Sequence, residues 1–362
     1  MSVFDVCGPL TNDLLERFGK HADDSGRDNG PRTEDIDELR DSGYFTIAVP
    51  EEFGGRGLTL REVAREQRRL AYRAPATALA VNMHHYSVGA AACAHRAGDS
   101  SVDWLLHEAA NGAIFTVGHD DTGQDLALAP SGVRAEPAGG GGYRFRLREI
   151  FSPVPPVWDW LGVRALDDSD PSQPRVVHAF IRRSALGCRT AETRNGGLGR
   201  PTTRGGDALL HDAAAAAVLA EPEHVARVLP AGPPDDAFTF GIFGWLLSLT
   251  GTIYYAMARR AFDLAIEGAG RRASVPGGPA LATHPLAQWP VAEAALRLDA
   301  IEAELDQVIA DWTDRVHHGG QCLISLFAAR HSAVDGANRV MDLASQIAAP
   351  PSGTLLPRRP TA

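Results

Sequence analysis

The chain has 362 residues, 44% hydrophobic and 22% charged, with a formal net charge of −10. That is the composition of a globular protein able to bury a full core over two or three domains. The acidic balance excludes bulk nucleic-acid binding, which needs a basic face, yet leaves room for a few arginines to hold the phosphates of a dinucleotide. Cys7, Cys93, Cys188 and Cys322 stand far apart with no CxxC spacing, which predicts a reducing, cytoplasmic setting and no metal site. No basic start followed by an apolar run marks a leader. The longest apolar stretch, Ile242–Met257, is short for a membrane span and is interrupted by Gly244, Ser248, Thr250, Gly251 and Thr252, so a buried helix is expected and no membrane partner.

In chain order, Pro9–Phe18 is the first predicted helix, capped by Thr11 or Asn12, with Leu14, Leu15 and Phe18 facing inward. Asp23–Pro31 reads as a loop. Thr33 is placed to cap a second helix that carries Glu34 and Asp35 in its first turn and ends at Gly43. In Thr46–Thr59, TIAVPEEFGGRGLT, Pro50 and three glycines predict a tight surface turn. Arg61–Tyr72 is a long helix with Val63, Leu70 and Ala71 inward. Its Arg61, Arg65, Arg68 and Arg69, with Arg73 just beyond, read as a solvated face rather than an anion site. Ala78–His95, rich in small residues and poor in charge, is a buried helix, and Ser101–Ala110 a short one.

From Ala113 the pattern changes to short β-branched and aromatic bursts, GAIFTVG, GYRFRLREIF, WLGVRAL and RVVHAFI, separated by turns rich in Gly and Asp. The helical period returns after Pro230–Asp236, with helices expected at Phe238–Gly268, Leu286–Asp314 and Gln321–Ala348. In the middle one, Val291, Ala294, Leu296, Leu298, Ile301, Leu305 and Ile309 are assigned to the apolar face. His317 and His318 read as an exposed helix end. Segregated helices and strands define an α+β class and exclude a Rossmann or TIM arrangement. The expected parts are an N-terminal helical domain (1–112), a middle antiparallel β-domain (113–228), a C-terminal helical bundle (229–348) and an irregular tail (349–362). The polar run Phe115–Asp125, FTVGHDDTGQD, sits where helices give way to strands, the kind of junction where binding groups collect.

These residues carry a resemblance. VPEEFGGRGL at 49–58 resembles the IPEEYGG-like turn of the acyl-CoA dehydrogenase superfamily. FTVGHDDTGQD stands where that family has its TEPGAGSD-like loop, LREIF with the later Trp158 where it has GxKxWIT, and LGRPTT at 198–203 where it has LGxRxTxS. The resemblance covers nearly the whole chain. It implies the family's helical, β and helical-bundle domains, FAD as cofactor, an acyl-CoA or acyl-carrier-bound thioester as substrate and a homo-oligomer, dimer or tetramer. Carried over by position, Thr116, Val117 and Gly118 would meet the edge of the isoalloxazine, Gly123 would permit close approach and Asp125 would hold the loop. Phe151 would lie against the flavin with Ser152 beside it. Arg271 or Arg272, with Gln288, would reach the pyrophosphate, from a neighbouring subunit.

The departures from that pattern concern catalysis. Dehydrogenation of a thioester needs a carboxylate to take the α-proton. At one of the family's two positions for it this chain has Phe243, Gly244, Trp245 and Leu246. At the other, beyond Gln346–Ile347, it reads AAPPSG, so the last helix, its base and part of the adenine contact are expected to be missing, as a truncation or shifted reading frame would leave them. His119, Asp120 and Asp121 are candidate substitutes, with a loop-capping role as the alternative. Three functions are therefore expected as possibilities: an FAD-dependent acyl-CoA dehydrogenase-like oxidoreductase acting on a CH–CH bond; a flavin monooxygenase of the same fold, with His84 or His85 near the ring unless both are core histidines; and an inactive family member or partner subunit.

Overall fold

The computed structural model describes residues 8–24, 31–117, 133–146, 157–186, 218–231, 235–271, 285–316 and 319–348. The fold is α+β, with helices, a sheet and then a bundle. Among the described residues, five helices come first: α1 (Asn12–Asp24), α2 (Thr33–Asp41), α3 (Leu60–Arg73), α4 (Pro75–Arg96) and α5 (Asp103–Ala110). The described strands that follow are β1 (Phe115–Val117), β2 (Arg134–Pro137), β3 (Tyr143–Arg146), β4 (Trp160–Asp167), β5 (Arg175–Arg182), β6 (Val218–Ala220) and β7 (Val225–Pro230). Then come α6 (Ala237–Arg271), α7 (Pro285–Thr313) and α8 (Gln321–Ala348).

Local sequence accounts for most boundaries. The Thr11 hydroxyl accepts from Leu14 N–H, as a cap should, but α1 runs on to Asp24, into the stretch read as loop. Arg32, not Thr33, is the N-cap of α2, with no side-chain capping bond. α3 opens on a capping box: Glu62 N–H donates to the Thr59 hydroxyl, while Thr59 N–H donates to the Glu62 carboxylate at 2.8 Å. In the PEEFGG turn, Gly54 has φ +92, a conformation that costs a side-chain-bearing residue energy and glycine nothing.

The sheet runs β6-β3-β2-β4-β5-β7, with β1 also on β4. It is not wholly antiparallel as expected. β1 pairs parallel with β4, Phe115 opposite Trp160, and β2 touches β4 in the same sense, Arg134 opposite Leu166. β1 and β2 thus lie end to end along one edge of β4, while β5 takes the other edge antiparallel over eight residues. Both β4 and β5 are buried along nearly their whole length, so neither shows the two-residue alternation of a half-exposed strand.

One core joins the N-terminal helices, the sheet and the first half of α6; a second lies among the rest of α6, α7 and α8. α6 is apolar and long enough by composition to cross a membrane, and most of that stretch is buried inside the protein. α4 crosses α6 antiparallel: a side chain at Gly89 would enter the indole of Trp245, Gly241 lies against Ala90, and Asn82 Nδ2 donates to the Thr250 hydroxyl. Gly89→Ala should therefore overpack this crossing and lower stability by about 1–3 kcal/mol; a melting curve that matches the wild type would show that Trp245 can move aside.

The α3 arginines depart most from expectation. Arg73 is exposed and Arg61 pairs with Asp314, but Arg68 and Arg69 are buried. α3 packs under α6 and α7, so its supposed outer face is an interface. Arg68 forks onto Glu302 (3.0 Å) and Asp306 (2.7 Å) of α7 and lies over the ring of Tyr255, whose hydroxyl donates to Glu302. Leu296, assigned to the inward face of α7, is 71% exposed.

Candidate functional site

The site begins with β1, because its short strand ends where the polar run starts. On one side β1 is held by β4: Trp160 N–H donates to Ile114 O at 3.1 Å, and Ile114 N–H donates to the Asp159 carboxylate at 2.8 Å. On the other it is held by α4. Phe115 N–H donates to His84 Nδ1 at 3.3 Å, and His84 Nε2 donates to Phe45 O at 2.7 Å. Those two bonds assign the proton of His84 to Nε2. Burial pushes its pKa down to about 4 despite the bond to Phe45, so the ring is neutral near pH 7. His84 is thus a staple between the turn preceding the PEEFGG segment, α4 and β1. It is not a free acid or base.

Phe115 turns its amide away from β4, and Ile114 turns its carbonyl toward it. Alternation along the strand then turns the amide of Val117 to the same outer edge as that of Phe115. Val117 is half-buried and Thr116 wholly buried. An outward-facing amide on a partly covered strand edge is a suitable donor for the polar rim of a planar heterocycle. Of the described part of the expected cofactor seat, Val117 offers an outward amide that suits a flavin edge, whereas Thr116 turns its amide to β4 and is wholly buried. Gly118, Gly123, Asp125, Phe151, Ser152 and Arg272, and the candidates His119, Asp120 and Asp121, lie outside the described residues.

Arg271 and Gln288 are not brought to this seat within one chain. Arg271 is the last residue of α6, exposed and paired with Glu267 at 3.0 Å; Gln288 is exposed in the first turn of α7. Between Trp245, level with α4, and Arg271 run 26 residues of continuous helix, or about 39 Å at 1.5 Å per residue.

His85 differs from His84. It is wholly buried, edge-on to Tyr44 at 4.8 Å and nearly parallel to Phe45, and neither ring nitrogen has a hydrogen-bond partner among the described residues. Burial, then the neighbouring His84, holds its pKa well below the usual range. It is a neutral ring sealed by aromatic contacts.

Among the described residues, the carboxylates around β1 are committed. Glu108 accepts from the Trp160 indole at 3.0 Å and from Arg182, whose guanidinium lies over the same indole. Asp159 binds the Ile114 amide. α6 has no acidic residue from Ala237 to Phe262; the first, Asp263, accepts from Tyr72 and Arg259. The sequence reading did not find the role of His84 or the engagement of Glu108. A paired His in an otherwise small-residue helix was the one local signal for the first.

Helices flanking a central sheet define an α+β fold. The acyl-CoA dehydrogenase N-terminal domain model matches residues 13–102 and the C-terminal domain model 251–350, more than half of the chain between them, and the chain belongs to the acyl-CoA dehydrogenase superfamily. It is 24% identical over 339 residues to YdbM of Bacillus subtilis (strain 168), whose name assigns it provisionally to the acyl-CoA dehydrogenases; the match spans 92% of this chain and 84% of that protein. Among solved structures, the nitrososynthase from Micromonospora carbonacea var. africana matches with a TM-score of 0.72 and 21% identity, over 96% of this chain and 89% of that one. The FMN-bound form of TdsC, the dibenzothiophene monooxygenase from Paenibacillus sp. A11-2, matches with a TM-score of 0.70 and 19% identity, over 93% and 87%. At these identities the two structures share the fold with this chain.

Proposed function

We propose that the protein is a flavin-dependent oxidoreductase that works as a monooxygenase on this fold. The observation that carries the reading is the carboxylate pattern among the described residues: α6 is free of acid from Ala237 to Phe262, and Glu108 and Asp159 beside β1 are occupied by structural hydrogen bonds. Dehydrogenation of a thioester needs a carboxylate base at the α-carbon; oxygen transfer does not. Reduced flavin would supply the two electrons with which dioxygen gives one oxygen atom to the substrate and the other to water. The chain's own part is positional. The Val117 amide would orient the ring edge, the His84 staple would hold β1 in place under it, and the apolar faces of α4 and α6 would keep water out. The nitrososynthase and the dibenzothiophene monooxygenase support the reading by their fold and their chemistry. The acyl-CoA dehydrogenase-like reading, with FAD and an acyl thioester, is second and is supported by the superfamily itself.

The purified protein is titrated with FMN and with FAD, then mixed aerobically with each reduced flavin and indole, the ligand of one TdsC structure. Oxygen uptake above the flavin blank, with a product heavier by one oxygen atom, is the expected result. Anaerobic bleaching of bound flavin by short- to long-chain acyl-CoAs, without oxygen transfer, would instead establish the dehydrogenase. Failure to bind either flavin would overturn both readings in favour of an inactive member or partner subunit.

A further inference from the structure

We propose that Trp160 and Trp104 form a one-electron route between the flavin seat and the surface, and that blue light drives electrons along it into bound oxidised flavin. The inference rests on the flavin reading and adds an activity to it. Trp160 faces Phe115 across the β1–β4 pair, two residues, or about 7 Å, along the strand from Val117. It is wholly buried, and its ring is nearly parallel to that of Phe115 at 6.2 Å. Trp104 of α5 lies 5.0 Å from Trp160, centroid to centroid, and is half-buried, so it reaches the rim of the same cluster. Electron tunnelling falls off steeply with distance, and an indole is among the side chains that give up one electron most readily. Two indoles in contact, one near the seat and one at the rim, meet both conditions.

The surrounding charges give the route a direction. The Trp160 indole N–H donates to the Glu108 carboxylate at 3.0 Å, so a proton acceptor is in place when oxidation makes that N–H acidic. The Arg182 guanidinium lies over the same indole at 4.3 Å, where it opposes positive charge on Trp160. Among the described residues no guanidinium lies over Trp104, and its indole N–H has no hydrogen-bond partner. His224 is edge-on to both indoles, and burial lowers its pKa, so it adds no charge near pH 7. A positive charge is therefore more stable on Trp104 than on Trp160, and electrons move inward. Excited oxidised flavin takes one electron from Trp160, whose indole proton passes to Glu108. Trp104 gives one electron to Trp160, and Glu108 returns the proton. A soluble one-electron donor then refills Trp104. Two such events, with two protons from solvent, complete the reduction of the flavin.

The protein loaded with FMN or FAD is followed by flash photolysis, by flavin fluorescence lifetime, and by steady blue light with ascorbate in the absence of oxygen. The wild type should show a cationic indole radical that forms as the flavin is bleached. In Trp104→Phe the charge should stop on Trp160, where Glu108 takes the proton. The deprotonated indole radical then replaces the cationic one, and steady photoreduction falls to a small fraction. Trp160→Phe should lose the radical and lengthen the flavin lifetime. Trp289→Phe, in the exposed first turn of α7, should change neither. Circular-dichroism melts check each fold; Trp104 is half-buried, so its variant carries the test if Trp160→Phe unfolds. A wild type that binds no flavin would sink the flavin reading and the route with it. Bound flavin with the same lifetime, radical and photoreduction in the Trp104 and Trp160 variants would overturn the route alone.

Discussion

Acidification should unfold this protein through three buried imidazoles. His84 and His178 have pKa values lowered to about 4 and about 3, and His85 is lowered as well, each chiefly by burial. In the unfolded chain all three return to the ordinary value near 6.5. Above that pH both states are neutral at these sites, so they add no pH dependence. As the pH falls below 6.5 the unfolded chain takes up protons that the folded chain refuses, and stability drops until the folded pKa is reached. For His84 alone the drop is about 3 kcal/mol by pH 4. Urea unfolding followed at steps of pH should show this slope. His85→Phe should flatten the slope with little loss at neutral pH, because the ring nitrogens of His85 bond nothing among the described residues. His84→Phe should flatten it too, but at a neutral-pH cost of about 1–3 kcal/mol for each of the two backbone groups it strands, Phe45 C=O and Phe115 N–H. An unchanged slope in both variants would mean that these rings are reached by solvent.

The second large effect concerns Glu66 and Arg69. Both are on α3, three residues apart, with side chains 0% and 1% exposed and joined at 2.9 Å; Arg69 also donates to the Asn12 side chain of α1. Glu66→Ala leaves a guanidinium in the core without its counter-charge and should cost about 3–5 kcal/mol. Replacing the pair together, Glu66→Leu with Arg69→Met, should recover most of that loss, since apolar residues of similar volume need no counter-charge. Urea unfolding of the two single variants and the double gives the coupling directly. If the single variant were as stable as the double, the pair would be solvated in solution.

These two cases mark where the sequence was readable and where it was not. The turn from Pro50 to Gly57, the small-residue helix α4 and the three long C-terminal helices follow from local rules: glycines for left-handed backbone, an apolar period, absence of charge. The strand under the candidate site was legible for the same reason, because Phe115–Val117 is a β-branched and aromatic burst that runs into a polar, Gly-bearing segment. The antiparallel expectation for the middle domain was a default for short strands, and nothing within β1, β2 or β4 announces that two of them run parallel.

Side-chain partners were not legible. Arg68 finds Glu302 and Asp306 more than 230 residues away, and the distinction between a solvated arginine and a buried one depends wholly on what covers it. His84 and His85 are adjacent and chemically identical, yet one bonds two backbone segments and the other none. Leu296 lies two residues from both Ala294 and Leu298, about 200° around the helix from each, so it faces solvent while they face α6 and α8.

By itself the sequence determined where helices and strands form and their order, since backbone propensity and apolar periodicity act over a few residues; the resemblance to the superfamily was carried by motifs such as VPEEFGGRGL at 49–58. Only the tertiary structure decided which charges are buried, which imidazole holds β1 and that Leu296 faces solvent. Those outcomes depend on dielectric surroundings and on contacts between residues far apart in the chain, and no local stretch of sequence contains either.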